Sequence, residues 1–255
     1  AGIVEAGMLY DVAGTASILS CCVDAYRPDV RHEALMQMRS VVDGLWMPLA
    51  YINGGGLCLK WFKDDVAGAG TPVDYQTLER EAENLPPGSE GLLFIPHFAG
   101  RVCPNDPDIR GSFIGLNWAH KSGHLFRAIM EGIAYEYKYY LQVLRDAGID
   151  TRIDRVYVMG GGAKSALFNR IKADVLGMPY VVLKNADTAP LGAAVVAGYA
   201  AGIFDDIART AESFMREGDE IECDMQNHEK YRVFSEAYNR TFSALKDVYK
   251  ILGGG

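Results

Sequence analysis

Hydrophobic and polar positions change period several times along the chain, and each change marks an element. Residues 8–22, MLYDVAGTASILSCC, alternate around Gly14 and predict two strands joined by a tight AGTAS turn. Residues 45–52 predict a further strand that closes on Asn53-Gly54-Gly55-Gly56, and residues 57–66 then read as helix. The GAGTP segment at 68–72 is a loop. Asp74 has the chemistry of an N-cap for a helix over 75–85, with acidic residues near its start and Pro86-Pro87-Gly88 at its end. Residues 92–96 predict a short buried strand, 99–111 a loop rich in Pro, Asp and Gly, and 112–116 another strand. A long helix is predicted over 122–147, where Leu125, Ile129, Ile133, Tyr137, Tyr140 and Leu144 recur near helical spacing.

The most informative stretch follows, VYVMGGGAKSALFNRIKADVLGMPYVVL at 156–183. A β-branched apolar run meets Gly160, Gly161 and Gly162, then a helical pattern, then a second apolar run. Residues 190–201 predict a helix of small residues, and residues 229–252 an amphipathic terminal helix. Strands come first and alternate with helices afterwards, which predicts an α/β fold with a mixed sheet flanked by helices.

Composition narrows the possibilities. The length of 255 residues suits one large domain or two small ones, and a single domain over 1–255 is expected. Apolar residues make up 49% and charged residues 23%, as in an ordinary globular protein. A net charge of −8 argues against nucleic acid as a partner, since nucleic-acid binding uses basic stripes. No apolar run approaches the roughly 18 residues of a membrane span, so no membrane partner is expected. Five cysteines without CxxC spacing fit neither a disulfide framework nor a zinc site, and no metal site is predicted. A reducing, cytoplasmic location is expected. No signal peptide is read at the start, and the start without Met and the closing GGG suggest a fragment or processed piece of something longer.

Strand, glycine turn, helix and strand is how α/β proteins bring a nucleotide close to bare backbone. A P-loop would need glycine at Val158 and Ala163, so that motif is absent. Gly160-x-Gly162-x-x-Ser165 nearly matches the dinucleotide fingerprint, but the acid that would hold a ribose comes late, at Asp187. A tight turn with no ligand is the bland alternative. Two further glycine sites shift the balance. Gly14-Thr15-Ala16 forms a hairpin tip bearing a hydroxyl, which suits a terminal phosphate. Gly54-Gly55-Gly56 opens a helix.

Several motifs together resemble the C-terminal domain of the FGGY carbohydrate kinases, and xylulose kinases in particular. Gly111-x-Phe113-x-Gly115-Leu116, then seven residues, then His124-Leu125-x-x-Ala128-Ile129-Met130-Glu131 is similar to the family's second signature. Gly160-Gly161-Gly162-Ala163-Lys164-Ser165 resembles its adenosine motif, and Gly14-Thr15-Ala16 its phosphate-binding hairpin. Gly55-Gly56 before Trp61 resembles the glycines that approach the nucleotide phosphates, and the C-terminal helix resembles the family's own. The likeness covers nearly the whole chain, in the family's order.

The resemblance implies an actin-like ATPase, ribonuclease-H-like fold and an ATP-dependent kinase acting on a sugar hydroxyl, with Mg²⁺ and ATP as cofactors. It places Thr15, Gly14 and Ala16 at the terminal phosphate, with the N–H groups of Gly14 and Ala16 as donors. Gly55 and Gly56 fall near the other phosphates, and Gly160, Gly161, Gly162 and Ser165 under the adenosine. Ser165 stands where relatives often carry Asn. The family's catalytic Asp belongs to an upstream segment, so no catalytic residue is expected here, and the isolated chain is expected to be inactive. The sugar substrate would be held through the N-terminal domain, and a homodimer is compatible with the sequence. His97 and Arg101 are candidates for the substrate cleft, against a solvated loop. Asp11 reads as structural, His124 as a cap or packing group, and Tyr135, Tyr137, Tyr139 and Tyr140 as helix packing. Cys21 and Cys22 should face opposite ways along a strand. Two alternatives stand beside the kinase: a non-catalytic nucleotide-binding or assembly module, and an NAD(P)-binding oxidoreductase domain. The GRVCPNDP loop lacks the wording common in xylulose kinases, which leaves only a slight lean toward a pentulose.

Overall fold

The computed structural model describes residues 1–149, 153–184 and 188–253; Asp187, weighed above as a ribose-binding acid, lies outside them. Strands β1 (Leu9–Ala13) and β2 (Ser17–Cys21) form the expected hairpin, paired from Leu9 opposite Cys21 to Ala13 opposite Ser17. Strand β3 (Met36–Arg39) follows, then β4 (Trp46–Ile52), which pairs antiparallel with both β3 and β2. Helix α1 (Gly55–Trp61) continues directly into a π-helical turn over Phe62–Ala67. Helix α2 (Tyr75–Glu83) starts where expected, and the Asp74 carboxylate accepts the Thr77 N–H at 2.8 Å. Its first turn carries no acidic residue, contrary to expectation, because the glutamates fall later in the helix.

Strands β5 (Leu93–Ile95) and β6 (Ser112–Ile114) form a separate two-stranded sheet. Helix α3 (Ser122–Asp146) is followed by β7 (Val156–Met159), α4 (Ala166–Leu176) and β8 (Tyr180–Leu183). Helices α5 (Thr188–Ala200) and α6 (Ile207–Phe214) lead to β9 (Glu217–Ile221). The C-terminal segment is two helices, α7 (Met225–Ala244) and α8 (Lys246–Gly253), where one was predicted. Asp224 starts α7 early by accepting the N–H groups of Gln226 and Asn227.

The main sheet has the order β3-β4-β2-β1-β7-β8-β9. The pairs β1–β7 and β7–β8 are parallel and the others antiparallel, so the sheet is mixed as predicted. Alternation along β1 sets its two faces. Leu9, Asp11 and Ala13 point into the layer of α3 and α4, and Tyr10 and Val12 point the other way. Helix α3 is the keystone of that layer: Ile129, Ile133, Tyr137, Tyr140 and Leu144 are fully buried. Each such side chain contributes about 1.5–3 kcal/mol of hydrophobic stabilisation. The opposite face holds a smaller cluster of Ile3, Cys22, Met159 and Leu183. Cys21 belongs to the main core and Cys22 to this second cluster, on opposite sides as expected. Helix α5, apolar along its length, buries only Val195 and Gly198.

Candidate functional site

Two glycine turns come together because their strands are neighbours. Strands β1 and β7 run parallel, with Val12 beside Met159, so the hairpin tip at Gly14-Thr15 and the turn at Gly160–Gly162 leave the sheet at the same end. Helix α1 is tied to the tip by the Leu57 N–H, which donates to the Thr15 carbonyl at 3.1 Å. Between these parts and α2, α3 and α4 lies a cavity of about 740 Å³. Gly14, Thr15, Ser17 and Gly56 line one side, and Gly161, Gly162, Lys164 and Ser165 another. Tyr75, Gln76 and Glu79 from α2, Phe126 and Met130 from α3, Phe168 from α4, and Leu57, Leu59 and Lys60 from α1 add to the wall.

The candidates divide into those that face the cavity and those that support it. Of the sequence-selected residues, Gly14, Thr15, Gly56, Gly161, Gly162 and Ser165 are on the wall, whereas Ala16, Gly55 and Gly160 are not among its lining residues. A Cβ on Gly55 would overlap the side chain of Ser17, and one on Gly56 would overlap the carbonyl of Gly14. These two glycines let α1 pack directly on the hairpin. Gly160 has φ 90 and sits against the Ala13 backbone, a left-handed conformation that suits glycine. A Cβ on Gly161 would meet nothing within 4 Å. Bare backbone therefore faces open cavity at Gly161, the arrangement needed for close approach by a flat ligand.

Donors at the hairpin differ from expectation. The N–H of Gly14 is spent inside the turn, donating to Val12 at 3.0 Å and Ala16 at 3.1 Å, so it is not free for a phosphate. The Thr15 side chain is exposed and presents its hydroxyl at the tip. Ser165 serves α4 as N-cap: its Oγ accepts the Phe168 N–H at 3.1 Å. The Asn169 side chain donates to the Ala163 carbonyl at 2.8 Å and fixes the turn from behind.

Beneath this floor lies a fully buried charge pair. The Lys172 ammonium donates to one oxygen of Asp11, and the Tyr137 hydroxyl donates to the other at 2.8 Å. Burial pushes the Lys172 ammonium pKa down, and the Asp11 carboxylate opposes that shift. Asp11 thus ties β1 to α3 and α4, consistent with a structural part. At the start of α3, His124 Nδ1 accepts the Lys121 N–H at 3.1 Å, a capping contact.

His97 and Arg101 are neither in the cavity nor in a solvated loop. They are 0% and 7% exposed and converge on Glu136 in the interior. The Arg101 Nε donates to Glu136 at 2.8 Å, with its guanidinium 4.1 Å from the Phe242 ring centre. Tyr238 donates to the other Glu136 oxygen at 2.7 Å. A carboxylate buried on α3 requires such partners, so the segment after β5 folds inward to supply them. Lining residues that sequence reasoning did not select include the α2 wall (Tyr75, Gln76, Glu79), Lys60, Lys164 and the apolar Phe126, Met130 and Phe168. Lys164 lies inside the glycine motif and was visible there.

Among the described residues, no group of three or more His, Cys, Asp or Glu could hold a metal ion, and Glu79 is the one carboxylate lining the cavity. A magnesium ion would have to be held largely by phosphates. Nor is any described helix long and apolar enough to cross a membrane.

A family model described as the C-terminal domain of the FGGY family of carbohydrate kinases matches residues 12–201. The chain is 29% identical over 249 residues to a xylulose kinase from Bacillus subtilis (strain 168), covering 97% of this chain and 49% of that protein. It is 29% identical over 210 residues to a gluconokinase from the same organism, covering 79% of this chain and 40% of that one. The crystal structure of xylulose kinase from Rhodospirillum rubrum superposes with a TM-score of 0.81 at 27% identity, over 97% of this chain and 49% of that one. The chain thus spans about half the length of the relatives it matches over nearly its full extent.

Proposed function

Since the chain belongs to the FGGY family of carbohydrate kinases and has their actin-like fold, we propose that it is the nucleotide-binding half of an ATP-dependent sugar kinase. The observation that carries this reading is the joining of the Gly14-Thr15 tip and the bare Gly161–Gly162 backbone in one cavity of about 740 Å³. Thr15 donates its hydroxyl to the terminal phosphoryl group, at the open end of the hairpin. Gly161 and Gly162 lie under the ribose and base, while Phe126, Met130 and Phe168 provide apolar contact for the base. When bound, Mg²⁺ would be held largely by the nucleotide phosphates and would supply charge neutralisation for the transfer.

Phosphoryl transfer is mostly positioning and charge neutralisation, with one group needed to accept the proton of the attacking hydroxyl. We assign no such base to this chain: Asp11 is buried and paired with Lys172, and it has no access to a sugar. The base and the sugar contacts come from the other half of the kinase, and the 255 residues alone bind nucleotide without turning over. A pentulose is the favoured acceptor, because two curated relatives matched over 97% of this chain are named xylulose kinases.

Calorimetric titration of the chain with Mg-ADP tests the reading. Binding is expected, and Gly161→Val, which puts a side chain into open cavity, should weaken it about tenfold while leaving the melting temperature unchanged. A wild-type chain that binds no adenine nucleotide would sink the proposal.

A further inference from the structure

We propose that Lys164 is the cation that holds the phosphate chain of the bound nucleotide, an assignment that rests on the nucleotide-binding reading above. The described lining of the cavity includes two ammonium groups, Lys60 and Lys164, and one carboxylate, Glu79. Lys60 is already engaged: its Nζ bonds Asp64 one turn along at 2.5 Å. Asp64 also accepts from Lys63, so the three charges form a closed set along the α1 edge. Lys164 has no hydrogen-bond or ion-pair partner among the described residues, and it is exposed.

Its backbone is nonetheless held firmly. Lys164 ends the short 3₁₀ turn Gly161–Lys164, which is closed by the Ser165 N–H on the Gly162 carbonyl at 3.2 Å and braced by Asn169 on Ala163 at 2.8 Å. A mobile four-carbon stem on a fixed base, between the cavity-lining Gly162 and Ser165, carries a compact charge over the floor. The need for it is electrostatic. The chain has a net charge of −8, so the molecule as a whole repels a polyanion. The N–H of Gly14 is also committed within the hairpin. A local, unpaired ammonium offsets both deficits. An ammonium recognises phosphate charge and contributes nothing specific to adenosine, which separates the two ends of the ligand.

The test compares ADP with adenosine by calorimetry on the 255-residue chain, for wild type, Lys164→Ala and Lys164→Arg. Lys164→Ala should weaken ADP about three- to fivefold, as expected of an exposed charge pair. Its effect on adenosine should be nil, ADP affinity should become less salt-dependent, and Lys164→Arg should restore most of the loss. Equal losses for ADP and adenosine, or no loss for ADP, would overturn the assignment while leaving nucleotide binding intact. A wild-type chain that binds neither ligand would overturn the nucleotide reading itself.

Discussion

At Gly56 and at Gly161 the missing side chain serves different ends. Gly56 lies against the Gly14 carbonyl, and any Cβ there would force α1 away from the hairpin. Gly161 faces open space. Gly56→Ala should therefore cost about 1–3 kcal/mol, as overpacking does, while Gly161→Ala stays within about 0.5 kcal/mol. Urea denaturation of both variants checks this, and equal losses would contradict it. The three glycine groups were plain in the sequence, but which glycine packs and which lies bare was not. That depends on a neighbour brought in by the fold: Gly14 for Gly56, Ser17 for Gly55. His97 and Arg101 failed for the same reason, since their partner Glu136 sits within the tyrosine-rich stretch of α3 and gives no local sign that it is buried.

At the scale of elements, Ser165 joins the cavity wall to the start of α4. As an N-cap it is worth about 1 kcal/mol, so Ser165→Ala should lower the melting temperature. Ser165→Asp keeps the cap, and its charge at the positive end of the helix dipole maintains stability. The same carboxylate faces the cavity, so ADP binding should weaken. Calorimetric and thermal measurements on the two variants separate capping from ligand contact; loss of stability in both would remove the cap. Elements with strong periodicity were legible: the β1–β2 hairpin, α3 and the β7–α4–β8 unit. Strands β3 and β9 were not, because as MQMR and EGDEI they lie at the sheet edges and bury little. The division between α7 and α8 at Leu245 interrupts a pattern that stays amphipathic across it, so periodicity did not reveal it.

For the whole molecule, acid stability turns on two carboxylates buried on α3. Burial alone would raise the Glu136 carboxyl, but Arg101 beside it, with His97 and Tyr238, holds it at about 2. Its unfolded value is about 4.3, so its folded pKa is depressed. The stability it contributes is whole above that unfolded value and drains away as pH falls through about 2. Glu131 runs the other way: burial raises its carboxyl despite Arg127, so its titration opposes that of Glu136. The wild-type curve is thus a composite, and the informative quantity is the difference from Glu136→Gln. The gap in urea midpoint between them should narrow between about pH 6 and pH 3. A constant gap would show that folding leaves the Glu136 pKa unchanged.

Gly161 also has a use outside binding. Burial keeps the thiols of Cys21 and Cys58 at about 12 and that of Cys22 at about 11, and it raises those of Cys103 and the half-buried Cys223. The native cysteines are therefore poor nucleophiles at neutral pH. With Cys223→Ser as background, Gly161→Cys gives one reactive attachment point on the cavity rim. A dye fixed there competes with the nucleotide for the cavity, so its displacement reports occupancy by a change in colour or lifetime, without any catalytic turnover.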